Sequence, residues 1–235
     1  MTNLTDAPRS APAPAMVAAL VSSFIGLGVV AHHAVAGTAL DHAVLGWMVA
    51  HRHPGLTSWA IAVTTVGSPA GVAVLAVIAA AVAWWRVGSA RPAMVILAAL
   101  AGAGAVSSLT KVIVAAHRPA AAVQLVTETD PSYPSGHVTG TLALLSAVAV
   151  VIGHHSGREV STTVFVLAAA AAVAVACTRL YLGVHWVTDV VGGLLLGSLA
   201  GVLAYLVYRR MMGPSNVGGR PHAPTEAGPA TIVPR

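Results

Sequence analysis

Charge is what this chain has least of. Only 8% of its 235 residues are Asp, Glu, Lys or Arg, while 57% are hydrophobic. The mean hydropathy is +0.81. A soluble domain carries roughly 25% charged residues, so this chain lacks the polar skin a water-facing surface needs, and a soluble globular fold is excluded. Cysteine is nearly absent as well. Cys177 stands alone, which rules out an intrachain disulfide and any cysteine-cluster metal site. It lies within an apolar run and is expected to be a buried, inert thiol. Lysine is reduced to Lys111 beside eleven arginines, a bias that points to a GC-rich bacterial genome. The net charge of +5 does not indicate nucleic acid as a partner, because most basic residues flank apolar runs, where they set topology.

Long apolar runs are what the chain has in abundance. A spanning helix needs about 20 mainly apolar residues. Six stretches qualify, near 15–36, 57–85, 92–114, 137–153, 160–178 and 187–208. The expected fold is an all-α integral membrane protein: a six-helix bundle over 13–210, with polar, disordered segments at 1–12 and 211–235. The second run holds Gly67-Ser68-Pro69, where proline removes a backbone donor, so it reads either as one kinked helix or as a half-helix plus a full span. Residues 38–56 form a connecting segment with room for a short amphipathic helix carrying Leu45, Met48 and Val49. Arg9, Arg86, Arg91, Arg158, Arg209, Arg210, Arg220 and Arg235 fall on one side of the membrane, and Arg52, Lys111, Arg118 and Arg179 on the other. The positive-inside rule then places both termini in the cytoplasm. Gly193, Gly197 and Gly201, spaced by four, are expected to let helices approach closely within the bundle.

Three polar segments interrupt this pattern, all on the side away from the termini: Lys111 to Arg118-Pro119, Pro134-Ser135-Gly136-His137, and Thr178-Arg179 to His185 and Asp189. Charge at a membrane edge is costly and usually functional. Lys111 and Arg118 are seven apart, which would put them on one helical face, with Pro119 ending that helix. With Arg179 they offer a point charge and two planar forks suited to phosphate oxygens. Ser135 and Gly136 precede a helix start, where free N–H groups favour anions. His137 follows, placed to protonate a leaving oxygen. His185 and Asp189 are four apart on one helix face. A carboxylate on one ring nitrogen fixes the tautomer and leaves the other nitrogen free to attack. No activated Ser or Cys lies near them, so the imidazole itself is the simpler nucleophile. The paired histidines elsewhere lack the spacing of a zinc site, and no metal is expected.

Together these segments resemble the signature of the type 2 phosphatidic acid phosphatase superfamily, over about residues 15–208. The membrane layout separates the chain from the soluble vanadium-dependent haloperoxidases that share the pattern. One departure is Thr178, where that family usually carries serine; the hydroxyl is kept. The resemblance implies six spans with the active site at the extracytoplasmic face of the cell membrane. Lys111, Arg118, Ser135, Gly136 and Arg179 would bind the substrate phosphate. His185 would be the nucleophile, Asp189 its orienting group and His137 the general acid, with no cofactor. The expected partner is a membrane lipid phosphate: a polyprenyl diphosphate, phosphatidylglycerol phosphate or phosphatidate. Gln124, Glu128 and Asp130, in the outer loop before the second motif, are expected to bear on the choice of headgroup. Two other readings stand beside hydrolysis: phosphoryl transfer to a lipid or sugar hydroxyl, and non-enzymatic passage of anions.

Overall fold

The computed structural model of the protein describes residues 12–213. Its regular structure is helical, with no strand among the described residues. The helices are α1 (Pro12–His33), α2 (Ala39–Ala50), α3 (Pro54–Val66), α4 (Pro69–Val87), α5 (Arg91–Val114), α6 (Gly136–His155), α7 (Arg158–Tyr181) and α8 (Val187–Met212). Six of them, all except α2 and α3, are long and apolar enough to cross a bilayer. Residues 1–11 and 214–235 lie outside the described residues, and with them most of the two segments expected to be disordered. At the margins the helices run further than expected: Pro12 already opens α1, and Met211 and Met212 complete α8.

The break at Gly67-Ser68-Pro69 settles the second apolar run as a half-length helix followed by a full span. Ser68 caps α4 by accepting from the Gly71 N–H at 3.0 Å, and Pro69 occupies the first turn, where its missing donor costs nothing. The connecting segment holds α2, capped by Thr38 and Asp41 in a reciprocal capping box.

α6 is the central helix: 72% of its apolar window is buried, against 6% for α1. It packs chiefly on α8 and α7, then on α5. Its close approach to α8 depends on the glycine stripe. A Cβ at Gly193 would come within 2.8 Å of the Ser135 carbonyl oxygen, and one at Gly197 or Gly201 within 2.7 Å of Leu142 or Ser146. Side chains there would push the two helices apart, and with them the Ser135 and Asp189 ends of the site. The outward surface is apolar, with Trp85, Leu109, Val112, Ile113 and Leu167 all exposed. That is the arrangement a lipid surround requires.

The same logic corrects the expectation for Cys177, which is exposed rather than buried. It continues the outward stripe of Val166 and Val173 on α7. In a bilayer an apolar residue gains nothing by facing the core instead of lipid, so residence in an apolar run does not imply burial.

At one end of the bundle lie Arg86, Arg91, Arg158, Arg209 and Arg210, close to the helix termini. Arg86 rides over the Trp85 ring at 5.4 Å and Arg209 over Tyr205 at 5.9 Å. At the other end, the loop 115–135 folds back over α7 and α8. The Leu125 N–H donates to the Leu182 carbonyl (2.9 Å), and the Ser135 N–H to the Asp189 carbonyl (3.0 Å). Arg52 fastens this end by donating to the carbonyls of Val123 (2.7 Å) and Tyr181 (3.1 and 3.2 Å). Gly183, at φ +71°, turns the chain beneath it, where a Cβ would strike that guanidinium at 2.7 Å.

Candidate active site

α5 ends earlier than the seven-residue spacing suggested. Ala115 adopts φ 49°, a left-handed conformation that stops the helix, and the His32 ring meets the freed Val114 carbonyl at 2.9 Å. Arg118 therefore sits on the following loop and shares no helical face with Lys111. The residue before a proline avoids the helical region in any case. The two cations still converge, because both reach the Asp130 carboxylate: Lys111 Nζ lies 3.0 Å from Oδ2 and Arg118 Nη2 donates to Oδ1 at 2.7 Å. Arg118 Nε also donates to the Asp130 carbonyl (2.7 Å), and Lys111 Nζ to the Pro131 carbonyl. Arg179, only 1% exposed, rises from the last turn of α7 and donates to Thr64 Oγ1 (2.8 Å) and to Glu128 Oε1. Glu128 Oε2 lies 3.9 Å from Arg118 Nη2. Three cations from two helices and a loop thus form one cluster.

His185 stands beside it at the turn into α8. Its Nδ1 lies 3.2 Å from Asp189 Oδ2, and its Nε2 lies 3.2 Å from Arg118 Nη1. A guanidinium has no lone pair, so the nitrogen facing it is the acceptor and the proton resides on Nδ1. Arg118 Nη1 also donates to the Val184 carbonyl at 2.7 Å, which holds it there. Asp189 is fully buried, and its Oδ2 accepts from the Trp186 N–H (2.8 Å) and from the Ser132 hydroxyl. Ser132 Oγ is also 3.3 Å from His185 Nδ1.

Burial, and then the nearby charges of Arg118 and Arg179, hold the His185 imidazole well below its usual value of 6.5. A lowered value means that protonation, which removes the free lone pair, sets in only at more acid pH. In substrate-free protein the His185 imidazole, followed by nitrogen NMR, will stay unprotonated as pH falls through 6.5 and take up its second proton only further down. A midpoint near 6.5 would contradict this.

α6 begins at Gly136, with Ser135 as its N-cap. The Ser135 hydroxyl and one Asp189 oxygen are buried without a hydrogen-bond partner. His137 occupies the first turn. It lines, with Gly136, Lys111, Arg118, Glu128, Asp130 and His185, one cavity of about 690 Å³. Arg179 and Ser135 sit behind this lining, Arg179 joining it through Glu128. The cavity continues between α4 and α5 over Val72, Ala76, Leu100 and Gly104, so a polar pole opens into an apolar groove. All eight residues singled out in the sequence therefore gather at one end of the bundle. Thr178, by contrast, spends its hydroxyl within its own helix, on the Val175 carbonyl at 2.7 Å.

Several supporting residues escape sequence reasoning. Asp41 accepts from the Thr188 N–H at 3.0 Å, tying α2 to the first turn of α8. Tyr133 donates to the Phe24 carbonyl at 2.6 Å; burial first, then Asp189, raises its phenol, so it remains a donor. Ser132 lies on a loop without hydrophobic period, beside Glu128 and Asp130, which the sequence does mark for headgroup choice but without showing which cations they meet. The one available signal is acid and hydroxyl placed just before a phosphate-type motif.

Among the described residues no cluster of His, Cys, Asp or Glu is arranged to hold a metal. The PAP2 superfamily model matches residues 92–212, which take in all three motif segments and more than half the chain. The chain is a multi-pass membrane protein belonging to the PAP2 superfamily. It is similar to phosphatidylglycerophosphatase B of Bacillus subtilis (39% identical over 77 residues, 32% of this chain and 38% of the relative). It is also similar to the putative undecaprenyl-diphosphatase YbjG of Escherichia coli (37% over 82 residues, 35% and 37%). The match thus spans under two fifths of either curated relative. The structure resembles the transmembrane PAP2-type phosphatidylglycerolphosphate phosphatase from Bacillus subtilis with a TM-score of 0.70, at 26% identity, covering 82% of this chain and 94% of that one. It shares its fold with Aquifex aeolicus LpxE (TM-score 0.55, 20% identity, 72% and 97% covered).

Proposed function

We propose that this protein is a metal-independent lipid phosphatase that removes a phosphate or diphosphate headgroup through a phosphohistidine at His185. One observation carries the reading: the unprotonated Nε2 of an imidazole held by Asp189 meets Arg118, one of three clustered cations, in a cavity that runs into an apolar groove. The polar pole suits a phosphate and the groove a hydrocarbon chain.

The Nε2 lone pair attacks phosphorus while Lys111, Arg118 and Arg179 stabilise the equatorial oxygens, the main demand of phosphoryl transfer. Ser135 and Gly136 add a hydroxyl and close backbone access. The bond to the leaving oxygen breaks, and His137 gives that oxygen a proton. Water then attacks the phosphohistidine, His137 takes a proton from it, and inorganic phosphate leaves. Asp189 holds the Nδ1 proton throughout. The arginine-rich helix ends opposite the site support an extracytoplasmic active site with both termini inside. The relatives' names support phosphatidylglycerol phosphate or a polyprenyl diphosphate as substrate.

The test is phosphate release by detergent-purified protein in EDTA, from polyprenyl diphosphate, phosphatidylglycerol phosphate and phosphatidate. Release from at least one supports the reading. Well-folded protein that releases none, yet passes phosphate to an added alcohol, favours a phosphotransferase. The acid role has its own signature. His137→Ala will lose about a hundredfold in kcat/KM, which covers only the steps up to departure of the leaving group, on a lipid phosphate but far less on p-nitrophenyl phosphate, whose leaving group needs no proton. Equal losses on both substrates would remove His137 from that role.

A further inference from the structure

The cations proposed to bind phosphate are already occupied. Asp130 spans Lys111 and Arg118, and Glu128 spans Arg118 and Arg179. All four carboxylate oxygens of these two side chains face the three cations. Both residues line the cavity beside His185 and His137. Resting on the phosphatase reading, we infer that Glu128 and Asp130 are specificity-determining residues: they stand where substrate phosphate oxygens must bind, and so admit only a headgroup charged enough to displace both.

Charge makes the selection. The two carboxylates cancel two of the three positive charges. A terminal phosphate, near −2 at neutral pH, restores that balance on leaving its solution counterions. A phosphodiester headgroup carries a single negative charge. It would leave one more buried cation unpaired, and unpaired buried charge is costly. The distinction matters in a bilayer, where phosphodiester lipids surround the site in great excess over any lipid phosphate. A bare cradle would fill with them. The acids hold the cradle against monoanions and yield it to a dianion or a diphosphate.

The geometry allows that exchange. The Asp130 side chain is 51% exposed and that of Glu128 is 23% exposed, so both have a path toward solvent, whereas Arg179 is fixed at 1%. Burial alone would raise the Asp130 carboxyl, but Lys111 and Arg118 outweigh it and hold it below its usual range. It therefore stays charged at neutral pH.

The test compares wild type with Glu128→Gln, Asp130→Asn and the double variant, all near-isosteric. Binding of inorganic phosphate is read by thermal shift in detergent, which needs no turnover. Release from phosphatidylglycerol phosphate is read in mixed micelles as phosphatidylglycerol, a phosphodiester lipid, is added. The double variant will bind inorganic phosphate roughly tenfold more tightly, and phosphatidylglycerol will inhibit it competitively at surface fractions that leave wild type unaffected. Glu128→Gln alone will show a smaller shift in the same direction, and decides the matter if the double variant does not fold. Phosphate binding unchanged or weakened in these variants would overturn the inference and make the acids mere orienting groups for the arginines. Should wild type and variants all fail to bind phosphate, the cradle reading falls with it. Tight phosphate binding without turnover would instead count only against the hydrolytic reading.

Discussion

His185→Ala will insert and fold, will still bind inorganic phosphate, and will release phosphate from lipid at least about a thousandfold more slowly than wild type. A covalent route divides a hard displacement into two easier ones, and removing the nucleophile leaves only direct attack by water. The cation cluster does not depend on the imidazole. Lys111 and Arg118 hold Asp130, Arg118 holds the Val184 carbonyl, and Arg179 holds Thr64 and Glu128. Arg118 Nη1 loses one neighbour, Nε2 at 3.2 Å, and keeps the other. Binding and turnover therefore separate in this variant. A residual rate above roughly a hundredth of wild type would rule out covalent catalysis at His185.

Asp189→Asn will lower kcat by about two to four orders of magnitude while KM and phosphate affinity change little. Asp189 Oδ2 receives the Trp186 N–H, the Ser132 hydroxyl and the His185 Nδ1 proton. An amide has one oxygen for these donors, and its NH2 group then points where Oδ1 now sits buried without a partner. In the flipped orientation the NH2 faces the donors instead. Either way the bond that keeps the proton on Nδ1 weakens, and the tautomer with a blocked Nε2 gains population. The same carboxylate caps the start of α8, so some stability goes too, about 1 kcal/mol by the usual worth of a cap. Asn is the informative choice because it preserves volume at a fully buried position. Melting temperature measured beside kcat separates the two effects. A kcat within tenfold of wild type would make Asp189 a capping residue only.

How much of this was legible beforehand varies with the kind of physical signal. Spans are written in hydropathy, and the six long helices appear where the apolar runs predict them. The glycine stripe on α8 is likewise readable, since close approach needs small residues at a fixed period. The motif residues stand out because charge and imidazole are rare in such a chain. What failed was inference across a helix end. The seven-residue spacing of Lys111 and Arg118 predicts one helical face, but a left-handed Ala115 places Arg118 on a loop, and convergence comes from Asp130. Ser132 and Asp41 act through contacts with residues far along the chain, which no local period encodes, and Glu128 and Asp130 stand out as loop acids without revealing the cations they pair with. Cys177 shows the same limit in another form: hydropathy reports that a residue avoids water, not whether it faces protein or lipid.

The central claim is that phosphorus becomes bonded to His185, and one measurement addresses it directly. Wild-type protein turning over phosphatidylglycerol phosphate or a polyprenyl diphosphate is quenched in alkali, which preserves phosphohistidine, then digested and examined by mass spectrometry. The account predicts that the peptide carrying His185 gains the mass of one phosphoryl group at the imidazole, and that the label disappears when substrate is exhausted. Steady turnover with no phosphorylated His185 peptide, or with the label on another residue, would contradict it.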